Sequence, residues 1–153
     1  MKRILSILLV CLILGISIPV SYADAASVTE QTTYFADGSY CVETLTVCTN
    51  EIATYSTTKS ATKTAKYYDS TDKLCWKYDL TASFQVNSGV SATCTSCSDT
   101  VTPVTSYVAE WTFVSKSATK SGNKATGTAK MKKNGKVATK TLTLTCSKNG
   151  VIS

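Results

Sequence analysis

The side chains able to do chemistry in this 153-residue chain are carboxylates, lysines, tyrosines, serines and cysteines, for it contains no His. Without His, no side chain has an ordinary pKa suited to proton transfer near neutrality, and His triads, Cys–His dyads and His metal sites are excluded by composition. Glycoside hydrolysis needs two facing carboxylates, and the pair worth weighing is Asp79 and Glu110. Each falls in an alternating stretch, on the face away from the aromatic residues, where a solvated strand carboxylate belongs. Ser and Lys are so abundant that a Ser–Lys pairing has no distinguishing spacing. Asp69-Ser70-Thr71-Asp72 carries only two acids, too few for a calcium loop, and reads as a hairpin turn. The chain is therefore expected to be non-catalytic, with no cofactor and no metal.

Six cysteines follow residue 25: Cys41, Cys48, Cys75, Cys94, Cys97 and Cys146. An even count in a small exported domain points to a framework of up to three disulfides, with connectivity left open. Cys94-Thr95-Ser96-Cys97 has C-x-x-C spacing. A redox pair wants a helix N-terminus, and a zinc site wants a second pair of ligands; the sequence offers neither.

The lysines are distributed unevenly. Residues 26–110 hold 5 Lys and 9 acids, whereas the 43 residues from Trp111 to the end hold 9 Lys and no acid. Such a segment can bind polyanions, and it can equally keep exposed strands from aggregating. There is no Arg beyond Arg3 to make bidentate contacts to bases or phosphates, so nucleic acid is not an expected partner.

The elements that position these residues are strands. After position 25 no segment has a convincing helical period, and 26 of those 128 residues are Thr, which suits pleated, half-wet surfaces. Turn signals recur at Asp37-Gly38, Asp69–Asp72, Asn87-Ser88-Gly89, Ser121-Gly122-Asn123 and Asn134-Gly135. In Leu74–Val86, the residues Leu74, Trp76, Tyr78, Leu80, Ala82, Phe84 and Val86 share one face, with Cys75 on the other. A turn at Asn87–Gly89 pairs Val86 with Val90 and Ala82 with Cys94, which puts Cys94 inside and Cys97 outside. A type I′ turn at Asn134-Gly135 pairs Lys133 with Lys136, Gly127 with Leu142, Ala125 with Leu144, Thr128 with Thr141 and Thr126 with Thr143. Cys146 then falls inside, so Cys94–Cys146 is the first disulfide to expect. Further strands are expected at Thr29–Phe35, Ser39–Val47, Thr57–Tyr68 and Thr105–Ser117, the last with Tyr107, Ala109, Trp111 and Phe113 on one face. The expected fold is an all-β antiparallel sandwich of seven or eight strands, Ig-like or meander-type, around Trp76, Phe84, Trp111, Phe113, Leu142 and Leu144. In this register Lys124, Lys130 and Lys132 share the outer face, and Lys133 and Lys136 crown the tip.

The chain opens with Lys2-Arg3, an apolar run from Ile4 to Val20, and small residues up to Ala25. This is the layout of a secretory signal helix, cleaved after Ala25 or alternatively Ala23. Residues 26–153 are expected to form a single exported domain, with no stable membrane anchor after cleavage.

Tyr34–Tyr40, Leu74–Lys77, Ser91–Cys94, Trp111, Ser115–Asn123 and Leu142–Gly150 together resemble a group of small, uncharacterised secreted proteins of Gram-positive anaerobic bacteria. The resemblance implies an exported all-β domain and no activity. The expected function is that of a secreted, non-catalytic protein binding anionic cell-wall or glycan polymers through Lys124, Lys130, Lys132, Lys133 and Lys136. The alternatives are an antimicrobial, toxin-like or inhibitory effector, and a surface protein that self-assembles through its acidic and basic halves.

Overall fold

The computed structural model describes residues 27–50, 56–104 and 110–153. The expected signal helix, and residues 105–109 of the strand expected at Thr105–Ser117, lie outside them. Eight strands follow in order: β1 (Ser27–Tyr34), β2 (Tyr40–Asn50), β3 (Thr57–Tyr68), β4 (Leu74–Asn87), β5 (Ser91–Pro103), β6 (Thr112–Ser121), β7 (Lys124–Lys133) and β8 (Lys136–Thr145). They make a five-stranded sheet, β1-β2-β3-β4-β5, and a three-stranded sheet, β6-β7-β8, with every pairing antiparallel and between sequence neighbours. The sandwich is thus of the meander type. Among the described residues no helix is long and apolar enough to cross a membrane.

The core forms where the alternating face of β4 meets the alternating face of β7 and β8. Trp76, Tyr78, Leu80, Ala82, Phe84 and Val86 are all buried, as are Ala125, Ala129, Met131, Leu142 and Leu144. The β7–β8 register matches the expectation pair for pair, from Lys133↔Lys136 to Ala125↔Leu144. The turn is the cause. Asn134 and Gly135 both have positive φ (51° and 80°), the twist that a type I′ turn shares with its flanking strands.

Two departures have one physical cause, the β-bulge, which inserts a residue and reverses facing beyond it. Between β3 and β4, Tyr67 pairs with Trp76 but Tyr68 pairs with Leu74. Cys75 is the extra residue and is buried, while Leu74 leaves the inner row. Between β4 and β5 the turn sits one residue later than expected, pairing Asn87 with Ser91 and Phe84 with Cys94. Its loop is Ser88-Gly89-Val90, closed by the Val90 N–H on the Asn87 carbonyl at 2.9 Å, with Gly89 at φ +74°. Thr95 is then bulged, so Cys97 faces Ala82 and packs against the core instead of lying outside. A third departure comes from an edge position: on β6, the outermost strand of its sheet, Phe113 pairs with buried Met131 on the inner row, and the register shifts only beyond it. Trp111 is buried just before this edge strand, but Phe113 is 48% exposed and leaves the core to Met131 and Tyr78.

Candidate functional site

The lysine-rich sheet has two faces with different occupations. On its inner side Lys116 and Lys120 of β6 reach β5. Lys116 donates to the Asp99 carbonyl and pairs with its carboxylate at 3.1 Å, and Lys120 donates to the Thr95 carbonyl. Lys140 of β8 shares the Glu43 carboxylate of β2 with Lys63. These cations join the two sheets.

The five lysines expected to act together are divided by the structure. Lys124, Lys130 and Lys132 are exposed on the outer face of β7, where they alternate with buried Ala125, Ala129 and Met131. Around them are hydroxyls, including the Thr128–Thr141 pair at 3.2 Å. Lys130 and Lys132 are two residues apart, but Lys124 stands about 20 Å along the strand. Lys136 is exposed at the tip. Lys133 turns the other way: its ammonium pairs with Glu110 at 2.7 Å and lies 5.7 Å from the centre of the Trp111 ring. Glu110 raises the Lys133 pKa above its ordinary value through that hydrogen bond.

Lys133 and Lys136 instead line an open cleft of about 420 Å³ at one end of the sandwich. Strand alternation brings the β1–β2, β3–β4 and β7–β8 turns to this end, and they contribute Asp37, Asp69 and Asn134. Two aromatic residues, Tyr67 and Trp111, line it. Tyr67 stacks between Phe35 (5.4 Å) and Trp76 (5.3 Å), and meets Trp111 edge-on at 5.5 Å. The indole N–H groups of Trp76 and Trp111 are buried without a partner among the described residues. The cleft therefore offers aromatic surface bordered by charges of both signs. The sequence marks Asp37-Gly38-Ser39 and Asp69-Ser70-Thr71 as turns, but that these turns meet at one end depends on counting strands correctly.

Each cleft aspartate is held by its own turn. Asp37 accepts from the Ser39 hydroxyl (2.6 Å) and N–H (3.0 Å), and Asp69 from Thr71 Oγ1 and N–H and from the Lys73 N–H. These hydrogen bonds, the hydroxyl contributions first, lower both carboxyl pKa values. A depressed folded pKa stabilises the fold above the unfolded carboxyl value, and that contribution is lost as pH falls through the folded pKa. The thermal midpoint is expected to be level through mildly acidic pH and to fall below about pH 4. Asp69→Asn should lower the midpoint at neutral pH and flatten its acid limb, as read from melts across the acid range.

The carboxylates considered for hydrolysis are engaged separately. Asp79, on the outer face of β4, pairs with Lys77 at 2.8 Å and accepts from Thr64 at 2.7 Å, while Glu110 pairs with Lys133. Among the described residues, no group of three His, Cys, Asp or Glu side chains could hold a metal ion.

Cys94 and Cys146 are both buried, as expected from their register, and all six described cysteines are free thiols in the structure. Their backbones clasp the same turn: the Cys94 N–H donates to the Gly122 carbonyl at 2.8 Å, and the Cys146 N–H to the Asn123 carbonyl at 3.0 Å. Asn123 Nδ2 returns a bond to the Cys146 carbonyl. Burial pushes both thiols above the ordinary cysteine pKa.

Comparison with family models, curated proteins and solved structures finds no match to this chain.

Proposed function

We propose that this is a secreted, non-catalytic β-sandwich protein that binds anionic polymers outside the cell through the outer face and tip of its three-stranded sheet. The observation carrying this reading is the division of the lysines. Lys116, Lys120, Lys133 and Lys140 are each bound to a carbonyl or carboxylate. Lys124, Lys130, Lys132 and Lys136 are exposed, with no acid in the sheet that carries them. Free ammonium groups on a flat hydroxyl-bearing surface suit repeated phosphate or carboxylate groups, and need no pocket. The contact set is Lys130 and Lys132 on the outer face and Lys136 at the tip, where it stands opposite Lys133 on the cleft side; Lys124 is at the far end, and Lys133, held by Glu110, is outside the set.

The test is binding of the processed chain to teichoic polymer, anionic vesicles and sulfated or sialylated glycans across a salt series. Binding that weakens with salt supports the reading, because exposed charges are screened over roughly 10 Å at 0.1 M salt. Salt-insensitive binding, or none to any of these polyanions, removes it.

A Cys94–Cys146 disulfide belongs to the same reading of an exported domain, and would lock the β6–β7 turn between the sheets. A non-reducing peptide map of the exported protein is expected to recover those two cysteines in one linked pair. Recovery of either with a different partner overturns that pairing.

A further inference from the structure

Among the described residues, every sheet edge but one carries a device against pairing. The β5 edge is occupied from the other sheet: Lys116 and Lys120 bind its Asp99 and Thr95 carbonyls, and the Gly122 carbonyl takes its Cys94 N–H. It is also bulged and ends at Pro103. The β8 edge is covered near its end by the returning C-terminus, where Thr145 and Ser153 exchange both backbone bonds and Cys146 bridges Ile152. The β6 edge is bulged and carries Lys116 and Lys120. Bulges, lysines, prolines and covering segments are the usual means of blunting an edge. β1 has none of them. All eight of its residues are exposed, Glu30 is its one charge, and among the described residues nothing covers its free side.

We propose that the free edge of β1 pairs antiparallel with β1 of a second copy of this chain, about a two-fold axis at Gln31. The ladder sets the register. The Phe35 N–H donates to the Ser39 carbonyl at 2.8 Å, so by alternation Thr33, Gln31 and Thr29 exchange bonds with β2. The N–H and C=O groups of Val28, Glu30, Thr32 and Tyr34 therefore point to the free side. Centring the axis on Gln31 pairs Val28 with Tyr34 and Glu30 with Thr32, each pair exchanging two backbone bonds. Thr29 meets Thr33, and Gln31 meets itself. Moving the axis one residue toward the N-terminus sets Glu30 against its own copy, and a like-charge pair directly opposite is unfavourable.

The chosen register also accounts for two exposed apolar side chains. Val28 is 61% exposed and Tyr34 75%, near opposite ends of the strand. Across the axis each covers the other, in a favourable aromatic–β-branched cross-strand pair. Tyr34 already heads a row of stacked rings, Tyr34–Tyr40 at 5.5 Å and Tyr40–Tyr68 at 4.8 Å, which Val28 of the second copy extends. A two-fold interface closes on itself, so the product is a dimer with a continuous ten-stranded sheet.

Sedimentation equilibrium of residues 26–153 should give a dimer at high concentration, in low and high salt alike. Thr32→Pro removes an N–H that faces away from β2 and should leave a monomer whose melt matches that of the native chain at concentrations low enough for both to be monomeric. Gln31→Cys should give a covalent dimer on oxidation, because residues facing each other at a non-hydrogen-bonded position have Cα atoms about 4.5 Å apart, within disulfide reach. Peptide mapping should find the introduced thiols linked to each other. A monomer at all concentrations, or a dimer that survives Thr32→Pro, overturns the proposal. Efficient cross-linking by Glu30→Cys but not Gln31→Cys overturns the register. A dimer dispersed by salt points instead to attraction between the acidic and basic parts of the chain, and also overturns it.

Discussion

Replacing Gly127 with valine is expected to destabilise the protein by about 3 kcal/mol, a fall in thermal midpoint of roughly 10 °C. Gly127 lies mid-strand in β7, opposite Leu142 and Ala118. Its backbone is not left-handed, so conformational freedom does not explain it. Space does. A Cβ at this position would overlap Tyr78 Oη and sit 2.9 Å from Leu80 Cδ1. Both side chains belong to β4 of the opposing sheet and are fully buried. The Tyr78 ring cannot swing aside freely, because its hydroxyl donates to Asp99 Oδ2 at 3.2 Å and Asp99 is already tied to Lys116. Burial, and then the Asp99 charge, push the Tyr78 pKa well above the tyrosine range, so the phenol stays a donor.

The clash is open to a double-mutant cycle. Tyr78→Phe removes the oxygen nearest the added Cβ at the expense of one hydrogen bond, about 1 kcal/mol. Gly127→Ala should therefore cost less when combined with Tyr78→Phe than in the native protein, as measured by denaturant unfolding. Additive losses would show that the clash lies elsewhere.

Substituting Gln for Lys130, Lys132 and Lys136 together is expected to weaken binding to anionic vesicles about 100-fold at low salt. Each lysine near an anionic surface contributes about 1 kcal/mol, and roughly 1.4 kcal/mol is a factor of ten. The contrasting triple change, Lys116, Lys120 and Lys140 to Gln, removes the same charge from the sequence. It should lower the thermal midpoint and affect binding much less. Lys140 reaches across the sandwich to the Glu43 carboxylate that Lys63 also pairs with, and Lys116 ties β6 to Asp99 of β5. Calorimetry and vesicle co-sedimentation on the two triples separate the roles. Equal loss of binding in both would mean that only net charge matters.

Much of this molecule is legible in its residue order. Thr-rich alternation and evenly spaced turn residues yield antiparallel strands joined in sequence. The Asn134-Gly135 turn yields the β7–β8 register without error, because two residues with positive φ permit one hairpin geometry. The inward faces of Trp76 to Val86, and the burial of Cys94 and Cys146, follow from period two. The reading fails where a bulge changes the period. Cys75 and Cys97 are each misplaced beside one, while Phe113 lies on the inner row of an edge strand and is still 48% exposed. A bulge is selected by how two strands twist and pack, and no local residue pattern here announces it.

By itself the sequence determines the class of fold, the last hairpin, and a C-terminal segment with nine lysines and no acid. Only the tertiary structure decides what those lysines do. Lys132 and Lys133 are adjacent and chemically identical, yet one faces water and the other lies against Glu110 and Trp111. The strand's alternation sends them to opposite faces, and the position of the second sheet makes one of those faces an interior. Among the described residues, the same packing leaves β1, of all the sheet edges, without a guard. Whether an edge is covered is a property of the assembled sheets, which no single strand carries in its residues.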